Sequence, residues 1–83
     1  MNKSLFQVIF ELTLEGFKVE FDQAYGKDQV RCVISNNIHG QHITSTTILS
    51  KYSSEIGIVS AIENTAEFVR KRSKELSRSF PSL

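Results

Sequence analysis

The densest chemical feature of the sequence is a cationic run near its end: Arg70, Lys71, Arg72, Lys74 and Arg78. Guanidinium and ammonium groups at this density suit phosphate oxygens, and each phosphate neutralised steepens the salt dependence of binding by about one unit. Residues 70–83 hold these five cations and one acid, a net of +4, whereas residues 1–69 hold five cations and eight acids, a net of −3. On a helix, Arg70, Lys71 and Arg72 scatter around the axis, while Lys71, Lys74 and Arg78 share a face. The competing reading is a solvated helix end, because cations there complement the helix dipole without any ligand.

The other reactive types are sparse. His39 and His42 lie three apart around a turn, and a metal needs further ligands that the spacing does not supply. Cys32, the only cysteine, falls among core-facing residues, which suits packing better than nucleophilic work. Glu63 and Glu67 share a helix face, an ordinary arrangement on a solvated helix. There is no glycine-rich phosphate loop, nucleophile elbow or zinc spacing. Catalysis, a cofactor and a bound metal are therefore not expected.

Length and composition bound the elements that must position these groups. The chain has 83 residues, a formal charge of +1, 40% apolar residues and a single proline. That suits one soluble domain and leaves no room for a second core. No apolar run reaches the length of a membrane span, and one cysteine makes no internal disulfide. The apolar stretch 5–14 after Lys3 is broken by Gln7, Glu11 and Thr13 and lacks a cleavage pattern, so Met1 reads as the start of the fold. The lone thiol fits a reducing, cytoplasmic setting.

Residues 4–15 admit two readings. As a strand, Phe10, Leu12 and Leu14 alternate with polar residues. As a helix, Leu5, Ile9 and Leu12 form a stripe flanked by Phe6, Val8 and Phe10, with Gln7, Glu11 and Glu15 opposite. Ser4 with Gln7 makes a capping box and Gly16 a left-handed stop, and this punctuation at both ends favours the helix. Strands follow at 17–25, 29–38 and 41–49, separated by turn candidates at Gly26-Lys27 and His39-Gly40. A helix over 54–80 closes the chain, capped by Ser53 or Ser54 and ended by Pro81.

The two turns fix the registers. The first pairs Phe21 with Cys32 and Val19 with Ile34; the second pairs Val30 with Leu49, Ile34 with Ser45 and Asn36 with Ile43. Phe17, Val19, Phe21, Val30, Cys32, Ile34, Ile43 and Leu49 then share one face. A slip of one residue would scatter them, so their agreement supports a meander. Asp22 comes to lie opposite Arg31 on the outer face, among small hydroxyl and amide side chains. The fold class expected is α+β: a two-layer helix, three-stranded antiparallel meander and long helix.

The order helix–strand–strand–strand–helix resembles that of the double-stranded-RNA-binding domain over residues 4–78. In that family a lysine cluster at the start of the last helix grips phosphates. Here the place reads Tyr52-Ser53-Ser54-Glu55-Ile56 with only Lys51 before it, and the cations lie at the other end of the helix. The resemblance implies the order of elements and does not carry over the RNA contacts. Small phage and mobile-element proteins are similar at this coarse level.

A small core rarely supplies more than about 3–5 kcal/mol, so dimerisation would help. A helix over 54–80 is about 40 Å long and a nine-residue strand about 30 Å, so the helix is expected to overhang its sheet. Ile62, Val69, Leu76 and Phe80 would then form a homodimer seam. The functional expectation is a small non-enzymatic protein-interaction module, a homodimer with an unidentified protein partner, of a size that suits a phage-encoded inhibitor or accessory factor. The alternative is a nucleic-acid-binding protein using Arg70, Lys71, Arg72, Lys74 and Arg78.

Overall fold

The computed structural model describes residues 3–38 and 40–79. Its elements are α1 (Leu5–Leu14), β1 (Lys18–Gln23), β2 (Gln29–Ile38), β3 (Gln41–Ser50) and α2 (Glu55–Ser79). The sheet is an antiparallel meander in the order β1-β2-β3. α2 packs over β2 and β3, while α1 lies over β1 and beside α2. This is the α+β architecture expected from the sequence.

Local chemistry explains each boundary. Ser4 caps α1 by accepting the Gln7 N–H at 3.1 Å. The reciprocal half of the capping box does not form, because the Gln7 amide reaches along the helix to Glu11 instead. At the other end the Gly16 N–H donates to Thr13 and the Phe17 N–H to Leu12, each at 3.0 Å. This closed turn requires the left-handed φ of +97° that Gly16 adopts. Ser54 caps α2 through the Gly57 N–H at 3.1 Å. Glu55, in the first turn of α2, also accepts the Leu5 N–H at 3.2 Å, so one carboxylate serves the starts of both helices.

The registers are those set by the sequence: Phe21 lies opposite Cys32, Val19 opposite Ile34, Val30 opposite Leu49 and Asn36 opposite Ile43. Gly40 takes φ +78° in the β2–β3 turn, and Ile38 pairs with Gln41. His39 lies outside the described residues. The β1–β2 connection differs from the two-residue turn expected at Gly26-Lys27. β1 stops at Gln23 and β2 starts at Gln29, with Gly26 at no positive φ. Asp28 is held by the opposite loop instead: its carbonyl accepts the Lys51 N–H at 2.9 Å and its carboxylate accepts the Tyr52 hydroxyl at 3.3 Å.

The core joins Val8 and Leu12 of α1, Phe17, Cys32, Ile34, Ile43 and Leu49 of the sheet, and Val59, Ile62, Ala66 and Val69 of α2. Phe21 and Val30 share the sheet's inner face yet keep 45% and 43% of their surface. Phe21 stands on the edge strand. Val30 borders an open cleft of about 380 Å³, lined by Leu5, Leu49 and Ile58, where the helix starts splay from the sheet.

Candidate interaction surfaces

The cationic run divides into two sets with different work. Arg70 is a structural clamp. Its guanidinium donates to both carboxylate oxygens of Glu15, at 3.0 and 2.6 Å, and to Glu67 at 3.0 Å. It also stacks over the Phe17 ring at 5.5 Å. The forked geometry ties α2 to the α1–β1 turn, and the hydrogen bonds from Arg70 hold the Glu15 carboxyl below its ordinary range. Arg72 is engaged by Glu75 at 2.9 Å. Lys71, Lys74 and Arg78 make no ion pair among the described residues, and by helical spacing they share the stripe away from the sheet. Of the five candidate phosphate ligands four are exposed, Arg72 among them though paired with Glu75, while Arg70 is directed to carboxylates.

Of the expected dimer seam, two residues lie inside the core. Ile62 and Val69 have no exposed surface; they are core residues of one subunit. Leu76 packs half-buried against the same core. Phe80 lies outside the described residues. α2 contains 25 residues, about 37 Å, over ten-residue strands of about 33 Å, so among the described residues Ile62 and Val69 find their cover on the sheet and Leu76 part of its own.

The apolar surface that remains is elsewhere. Seven of the ten α1 residues are apolar, which is more than one buried stripe needs. Val8 and Leu12 face the core, while Phe6 and Leu14 are 76% and 74% exposed and Phe10 is exposed between them. The Phe6 and Phe10 rings touch at a centroid distance of 6.0 Å. The i, i+4, i+8 spacing puts Phe6, Phe10 and Leu14 on one line. Glu15 reaches α2 through Arg70 from the opposite flank, so this line faces away from α2. The sequence carried the signal in the excess of apolar residues; the flanking role given to Phe6 and Phe10 understated it.

Cys32 is fully buried, and burial pushes its thiol up to about 11, so it stays neutral at physiological pH. His42 stands on the exposed sheet face. Among the described residues no three His, Cys, Asp or Glu converge as a metal site, and no helix is long and apolar enough to cross a membrane. On the outer sheet face Arg31 donates to both Asp22 oxygens at 2.8 and 2.5 Å, as the register required. Comparison with models of protein families, with curated proteins and with solved structures gives no match for the chain.

Proposed function

We propose that the chain is a non-enzymatic binding module that presents the α1 line Phe6, Phe10 and Leu14 to another protein. The observation that carries this reading is the exposure of two phenylalanines and a leucine on one line of a helix otherwise anchored in the core. Scattered apolar residues on a surface are ordinary, but a contiguous helical line suits a partner's hydrophobic groove. A size near 9 kDa suits an inhibitor or accessory factor that acts by occupying a surface.

The test is cross-linking in extract of the source cells with the intact chain and with Phe6→Ser/Phe10→Ser. The expected result is one protein captured by the first and lost with the second, at unchanged circular dichroism. An identical capture pattern from both chains counts against the α1 line.

A second reading rests on Lys71, Lys74 and Arg78, exposed and unpaired among the described residues. Three phosphate contacts would give a salt slope of about −2 to −3 on generic duplexes. Reversal of these three charges should abolish that binding. Absence of binding at low salt removes this reading and leaves the first intact.

A further inference from the structure

We propose that β3 pairs with β3 of a second copy, giving a six-stranded sheet across a twofold axis. The strand invites this by what it lacks. Gln41–Ser50 runs ten residues with no charged residue and no proline, and it is an outer strand of the sheet. Long uncharged edges of this kind are templates for further pairing, which is why edge strands usually carry charges, prolines or bulges.

The backbone says which groups are open. The Lys51 N–H donates to the Asp28 carbonyl, so in this ladder odd residues of the third strand turn their amides toward β2. His42, Thr44, Thr46, Ile48 and Ser50 therefore turn theirs to the free edge. Only an antiparallel register centred on Thr46 pairs all five with themselves: Thr46 opposite Thr46, Thr44 opposite Ile48, His42 opposite Ser50. On the inner face it sets Ile43 opposite Leu49 and Ser45 opposite Thr47. No charge meets a like charge in this arrangement, and β-branched pairs predominate.

The helix layer is compatible with the same axis. α2 packs on β2 and β3; an axis midway between them would stand about 2.4 Å inside β3, with the twofold about 2.4 Å outside it. Two copies of α2 then run antiparallel about 10 Å apart, the ordinary helix-packing distance. Arg70 points toward α1, so the opposite flank of α2, with Ala61 and Phe68, overhangs the β3 edge. Leu49 and Ile58 line one cleft, which serves as the common reference point for strand and helix. Moving from Leu49 to Thr46 covers about 10 Å, or about seven helical residues beyond Ile58, which puts the axis near Thr65. Ala61 and Phe68 straddle that point, so the exposed Phe68 ring is set against the small Ala61 of the second copy. The contact is about 33 Å long and about 20 Å deep, on the order of 650 Å² per copy, near the ~800 Å² per partner of a standard interface.

The experiment is sedimentation of the intact chain together with cysteine cross-linking. The chain should sediment as a dimer of about 19 kDa, twice 9.4 kDa. Thr46→Lys, which sets two ammonium groups face to face, should halve that mass without loss of circular dichroism. Phe10→Ser should leave the dimer intact, which separates this interface from the α1 line. Under mild oxidation Thr46→Cys should form a linked dimer, because facing residues of a hydrogen-bonded pair stand about 5.5 Å apart at Cα, within disulfide reach. Thr44→Cys and the unchanged chain should not link. A monomeric unchanged chain, a dimer indifferent to Thr46→Lys, a dimer lost on Phe10→Ser, or equal linking at Thr44 and Thr46 overturns the proposal.

Discussion

The two edges of the sheet are built on opposite principles. β1 has six residues and alternates Lys18, Glu20 and Asp22 with its inward positions, and α1 lies over it. β3 has ten residues, none of them Lys, Arg, Asp or Glu, and its outward positions are His42, Thr44, Thr46, Ile48 and Ser50. Charge and brevity at an edge penalise an added strand, through desolvation and mismatched pairs, while their absence leaves the open amides available. Sociability in a small sheet is thus set strand by strand. One edge is short, charged and overlaid by α1; the other is long and uncharged, and it is the edge on which the proposed pairing rests.

The comparison presupposes that β2 holds both edges in register, and its centre is the place to break it. Ile34 is fully buried there. Ile34→Ala should cost about 2–5 kcal/mol, comparable with the whole stability of a domain this small, and the chain should show a collapsed denaturant midpoint. A midpoint within experimental error of the parent would contradict the assigned core.

The next test removes the asymmetry itself. Lys18→Thr/Glu20→Thr makes β1 resemble β3 and should yield species larger than a dimer in light scattering. If the mass is unchanged, α1 and not the charges protects that edge.

A smaller effect is expected at the clamp that holds α1 over β1. Arg70→Ala removes the fork to Glu15 on a surface-screened site, a loss of about 0.5–1 kcal/mol, seen as a few degrees in the thermal midpoint. The Glu15 carboxyl sits below its ordinary range, so its contribution is present above the unfolded value and lost as pH falls through the lowered one. The parent should therefore lose stability more steeply below about pH 4.3 than Arg70→Ala does. Parallel acid limbs would deny the clamp its role.

The smallest change belongs to the exposed Asp22–Arg31 pair on the outer face. Asp22→Asn should leave the midpoint nearly unmoved, and a large drop would mean that this pair sets the β1 register.

Much of the fold was legible in the residues. The registers followed from Phe21, Cys32, Val30 and Leu49 having to share a face, and Gly16 ended α1 as its φ requires. What was not legible depended on distant contacts. At the wider Gly26-Lys27 connection Asp28 is held by Lys51 and Tyr52, contacts across 23 and 24 residues that local turn rules do not contain. Arg70 has the sequence context of a phosphate ligand, but Glu15, 55 residues away, holds its guanidinium. Ile62 and Val69 bear the same pattern whether a stripe meets its own sheet or a second copy; only the packing of α2 on β2 and β3 decides it. The α1 line was half-visible, since periodicity reveals an apolar stripe but an excess of apolar residues does not say which of them remain outside.

Amide hydrogen exchange, read residue by residue on the intact chain, tests the contrast between the edges most directly. If β3 is paired, the amides of Thr44, Thr46 and Ile48 should exchange as slowly as those of Ser45 and Thr47, while Val19 and Phe21 on the β1 edge exchange fast. Rapid exchange at Thr44, Thr46 and Ile48 beside slow Ser45 and Thr47 would show an open third strand and contradict the account.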